Sequence, residues 1–177
     1  MRRLFLGLIV LLVSTLPCLV QAKDLRNRLG AGMDTQMGLM GSGSKSPVLP
    51  ANLSVKYTLP ASDKTINIQF ELLLGIDLPE NDSASVVGGG RFLYTVVAED
   101  NCNVFLGVGT AYLRSPDLPN ASGLFRIQPL SGVEFFFYGL ENLGFTTSVG
   151  INVDLGNPLG VSVVGATFGA VGVHYYF

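Results

Sequence analysis

The chain has 177 residues, 48% hydrophobic and only 14% charged, with 22 glycines and no tryptophan. That composition excludes a disordered or highly charged protein, and the length suits one domain of roughly 100–200 residues. Eleven Lys and Arg against 13 Asp and Glu leave a net charge of -2, with no basic excess to hold a phosphate backbone, so nucleic acid is not expected as a partner.

Residues 1–22 read MRRLFLGLIVLLVSTLPCLVQA: two arginines, an apolar run and a small-residue cleavage pattern ending at Ala22, which makes Lys23 the expected mature N-terminus of a secreted chain. An uncleaved anchor is the alternative. The clean apolar run is shorter than the ~20 residues of a membrane-crossing helix, and Pro17 would break a helix continuing beyond it. Cys18 raises lipidation as a further alternative, for which Pro17 is a poor neighbour. Cleavage would leave 155 residues (177 − 22) and a charge of -4, since Arg2 and Arg3 depart with the signal. Cys102 would then be the only cysteine, so no internal disulfide is expected.

From Leu29 onward, short alternating runs of Val, Ile, Thr, Tyr and Phe are divided by Pro, Gly, Asn and Asp, with no sustained helical period, and the chain reads as all-β. Eight strands are predicted, at about 28–38, 50–59, 65–78, 86–98, 103–114, 124–138, 144–155 and 165–177. Several match the ~9–11 tilted residues that cross a bilayer. Connections after the second, fourth and sixth strands are short, and those after the odd-numbered strands are longer. This is the order of an up-and-down barrel with both termini on the periplasmic side.

Alternation divides each strand into two faces. The face carrying Met33, Val55, Phe70, Leu72, Ile76, Phe92, Leu106, Phe135, Ile151 and Tyr175 has no charge, whereas Asp34, Lys56, Glu71, Arg91, Arg126, Glu134 and Asp154 all fall on the other. A soluble carrier barrel would be apolar inside, so the charged face is expected to be the lumen of a membrane barrel. Counting along hairpins places Glu71 diagonally beside Arg91, Asp154 near Arg126, and Asp34 within reach of Lys56. Outward aromatics gather near strand ends: Tyr57, Phe135, Phe137, Phe145, Tyr175 and Phe177 at one end, Tyr112 and Phe125 at the other.

The chain closes on Val171-Gly172-Val173-His174-Tyr175-Tyr176-Phe177. Val173, Tyr175 and Phe177 resemble the C-terminal assembly signal of bacterial outer-membrane proteins, a terminal aromatic with apolar residues at alternate positions before it. With the leader, the strand count and the loop order, the mature chain resembles a small eight-stranded outer-membrane barrel of the OmpA or OmpX size class. The resemblance implies a bacterial outer-membrane location, outer-membrane lipid and lipopolysaccharide as surroundings, and the barrel assembly machinery as a partner during biogenesis. A monomer is expected.

No catalytic, cofactor-binding or metal-binding set emerges. The runs Gly88-Gly89-Gly90, Gly107-Val108-Gly109 and Gly169-Ala170-Val171-Gly172 lack the following helix a phosphate loop needs, and relief of crowding in a tight barrel explains them. Any histidine chemistry must use His174, which is predicted to face the lumen near the periplasmic end. The expected role is therefore non-catalytic, structural or surface-interacting, with a largely plugged lumen. The alternatives are a narrow channel for ions or very small solutes, an outer-leaflet lipid-modifying enzyme and a soluble lipocalin-like carrier.

Overall fold

The computed structural model of the chain describes residues 24–35, 52–61, 66–77, 85–114, 123–156, 159–164 and 170–177. The cleavage site at Ala22 and Lys23 lies outside them. Among the described residues nine strands are present: β1 (Leu29–Asp34), β2 (Asn52–Thr58), β3 (Ile68–Asp77), β4 (Ser85–Glu99), β5 (Cys102–Arg114), β6 (Gly123–Phe136), β7 (Leu143–Leu155), β8 (Gly160–Val164) and β9 (Ala170–Tyr176). Each strand from β1 to β7 pairs antiparallel with the next, and β9 pairs with both β7 and β1, which closes the sheet on itself.

The barrel has eight strand positions because β8 and β9 follow one another along the same edge of β7: Val164 is paired with Gly150, and Ala170 with Ser148. The eighth strand thus starts at Gly160 rather than 165, and its register steps between the two pieces. Its first part follows Gly156, Asn157 and Pro158 in the sequence, residue types that read as loop, which is why the strand's start is placed later from sequence.

The alternation is nearly unbroken, with β2 and β9 switching between buried and exposed at every residue. Residue pairs face in and out because successive side chains of a strand leave opposite faces. A bulge in β4 shifts the pairing between Thr95 and Val97, so Val96 and Val97 are both exposed. Where the wall is tightest, glycine is required. A Cβ on Gly89 would lie 2.5 Å from the Thr110 carbonyl oxygen and 2.8 Å from the Ala111 Cβ, which accounts for part of the β4 glycine run.

Polar side chains fill one part of the interior and apolar ones the rest. Leu73, Val87, Ala111, Leu113 and Leu124 form one cluster, and Leu93, Phe105 and Leu130 another. An eight-stranded barrel encloses a space just wide enough for side chains to occupy. At the end where β1 begins and β9 finishes, the terminal side, Phe135, Phe137 and Phe145 pack with ring centroids 5.2–5.7 Å apart. Tyr175 and Phe177 meet at 5.1 Å beside them.

Candidate functional site

Among the described residues the interior charges gather in two clusters and an Arg126–Asp154 pair. Arg91, in mid-β4, is directly opposite Glu71 of β3. Its Nη1 donates to Glu71 Oε2 at 3.1 Å and its Nη2 to Asp34 Oδ1 at 2.9 Å, with all three residues buried. The other Glu71 oxygen accepts a hydrogen bond from Ser54 Oγ, and His174 Nε2 lies 2.8 Å from that hydroxyl and 3.4 Å from Glu71 Oε1.

The second cluster is centred on Glu134 of β6. Lys56 Nζ donates to Glu134 Oε1 and to Thr146 Oγ1, each at 3.3 Å. Tyr176 Oη donates to Glu134 Oε1 at 2.6 Å, and Gln69 Nε2 reaches Oε2 at 3.4 Å. β2 and β6 occupy opposite sides of the eight-membered ring, so the Lys56 side chain spans the lumen. Charges this deeply buried are tolerated only when paired and hydrogen-bonded, and each of these has an ionic partner.

The third pair bridges adjacent strands. Arg126 and Asp154 are register partners on β6 and β7, joined by a fork of two bonds at 2.6 and 2.9 Å. The Asp154 side chain is 20% exposed, so this pair is nearer to water than the other two. Gln128 Nε2 donates to Asn152 Oδ1 at 2.6 Å one step further along.

All seven sequence-derived charges therefore point inward, but one pairing differs from expectation. Asp34 and Lys56 interact electrostatically at a distance, while the close ion pairs that form are Asp34 with Arg91 and Lys56 with Glu134. The register places Asp34 against Asn52 and Lys56 against Gly30, four residues apart, or about 13 Å at ~3.3 Å per residue. Asp34 turns to Arg91 and Lys56 to Glu134, both across the lumen. Glu71 and Arg91 are directly opposed rather than diagonal. Ser54, Gln69, Thr146 and Tyr176 also belong to the clusters. Their signal in the sequence is inward parity alone, which carries no information about partners on distant strands.

Val173, Tyr175 and Phe177 face outward, Phe177 with 71% of its surface exposed. Among the described residues no group of three or more His, Cys, Asp or Glu side chains could hold a metal ion. His174, Ser54 and Glu71 do not form a hydrolytic relay: Glu71 and His174 both contact the Ser54 hydroxyl, and His174 Nδ1, where an orienting carboxylate would sit, has no hydrogen-bond partner.

No protein-family model and no curated protein matches the chain in sequence. In structure, the backbone of the Yersinia pestis outer membrane protein Ail, determined in a phospholipid bilayer nanodisc, aligns with a TM-score of 0.51 at 11% identity, over 85% of this chain and 97% of that one. The chain has the fold of a small eight-stranded outer-membrane barrel.

Proposed function

We propose that this protein is an integral β-barrel of a Gram-negative outer membrane, non-catalytic, monomeric, and structural or surface-interacting in role, with its lumen plugged by its own side chains. The observation that carries this reading is the inverted polarity of the barrel. Leu53, Phe70, Leu72, Ile76, Leu106 and Ile151 are exposed outside, Leu72 to 70%, while Asp34, Lys56, Glu71, Arg91 and Glu134 are buried inside. In water that arrangement would expose a continuous apolar band, which soluble proteins avoid. In hydrocarbon it is favourable, and ring closure leaves no sheet edge to be satisfied there. The aromatic rings at the terminal end suit a headgroup zone.

The plug is supported by the pairing of the interior charges across the lumen, and the absence of catalysis by the complete burial of His174. Surrounding lipid and lipopolysaccharide would cover the apolar band. The outward Val173, Tyr175 and Phe177 would be read by the barrel assembly machinery. The test is gel migration of a membrane fraction before and after heating, paired with planar-bilayer recording of the refolded protein. A compact, heat-modifiable band and a silent bilayer are expected. A mature chain soluble without detergent would refute the membrane reading, and discrete current steps would refute the plug.

A further inference from the structure

We infer that the segment Asp24–Arg28 is a stopper for the terminal-side mouth of the lumen, with Leu25 as its seal. This rests on the barrel reading above but not on whether the lumen conducts. Leu25 precedes the first strand, yet it is completely buried and packs in one cluster with Phe136 and Tyr176, the last inward side chains of β6 and β9. Room for the Tyr176 ring comes from glycine on both flanking strands: a Cβ on Gly30 would lie 2.8 Å from the ring, and one on Gly144 3.0 Å. The phenol is anchored inward on Glu134, so the seal rests directly on the charged cluster.

Polar bonds hold the segment in place from outside. Asn27 N donates to the Thr58 carbonyl, and Thr58 N to that of Arg28, both at 3.0 Å. Arg26 Nη1 donates to the Ala61 carbonyl at 2.7 Å while the same guanidinium pairs with Asp24. Arg28 Nη1 reaches Asn142 Oδ1 at 2.9 Å. The stopper is thus tied to two different turns, with an apolar side chain directed inward and charged ones outward. The inward Thr58 hydroxyl, on the residue whose backbone ties the segment down, and the inward Asn103 amide near the start of β5 are buried without a hydrogen-bond partner in the protein.

The test places a thiol at the fully buried Thr58. In the full chain refolded in lipid with Cys18→Ser and Cys102→Ser, Thr58→Cys is challenged with a small water-soluble thiol reagent. Labelling should be slow, because reaction requires the segment to lift, and Leu25→Ser should accelerate it about tenfold or more by raising the open population. Arg26→Ala combined with Arg28→Ala alters only the outer ties and should accelerate it less. These tether variants decide the matter if Leu25→Ser fails to give a heat-modifiable band. Fast labelling with Leu25 in place, or a rate unchanged in every folded variant, would overturn the stopper. Failure of the parent chain itself to give the heat-modifiable band would overturn the membrane reading beneath it.

Discussion

Replacing Arg91 with methionine probes the interior most directly. The guanidinium holds two carboxylates, Glu71 at 3.1 Å and Asp34 at 2.9 Å, and all three side chains are at most 2% exposed. Removing one member of a buried ionic set costs roughly 3–5 kcal/mol, because the remaining charge stays desolvated and unpaired. Arg91→Met should fall at the upper end of that range, since two buried carboxylates lose the guanidinium at once. The double change Glu71→Met with Arg91→Met should recover only part of the loss, since it still removes the guanidinium from Asp34. Adding Asp34→Leu should bring stability back to within about 1–2 kcal/mol of the parent, as apolar replacement of a whole buried ionic set does. Reversible urea unfolding in lipid vesicles, followed by circular dichroism, measures all three. If Arg91→Met costs less than about 1 kcal/mol, or if the double change recovers as much as the triple, the three residues do not form one dry ionic unit.

On the outer face, Phe70→Arg or Ile151→Arg should cost about 2–4 kcal/mol in the same assay, as a charge forced into hydrocarbon does. Gln69→Arg, which points inward beside Glu134, should cost less, and equal costs on both faces would contradict the assigned polarity. The Arg126–Asp154 pair, partly open to water, should show a double-mutant coupling of only about 1 kcal/mol, well below that of Arg91 with Glu71. Deleting Phe177, whose backbone N–H also bonds the Leu29 carbonyl, should slow insertion and raise the periplasmic fraction in cells. Unchanged outer-membrane levels would remove its assembly role.

The range of each signal sets how much of the barrel is legible in the sequence. Strand parity is local, so the inward direction of Asp34, Lys56, Glu71, Arg91, Arg126, Glu134 and Asp154 is legible. Partners on neighbouring strands are legible as well: Glu71 with Arg91 and Arg126 with Asp154 each join register mates. Lys56 with Glu134 is not, because it joins strands on opposite sides of the ring, a relation fixed by barrel closure and side-chain reach. The division of the eighth strand is hidden for another reason. From Val164 to Ala170 the chain advances six residues while its partner β7 moves only two, from Gly150 to Ser148, and period-2 alternation gives no sign of such a step. The inward role of Leu25 is masked by its position between two charged residues, Asp24 and Arg26.

The seam between β1 and β9 has kinetic consequences. Among the described residues it is joined by five register pairs, Gly30–Tyr176 to Asp34–Gly172, against thirteen between β4 and β5. It also joins the two strands most distant along the chain, so its loop-closure entropy is the largest of any pairing in the barrel. The hairpins from β2 to β7 can zip locally, whereas this contact must wait until the whole ribbon has curled. This contact is expected to form last and to be the first to part under load. Substitutions along it, such as Ala31→Pro, should act chiefly by hastening unfolding, leaving the earlier steps of refolding nearly untouched. Because Leu25 lies four residues before β1 and rests on Tyr176 of β9, parting of that ladder would also release the stopper.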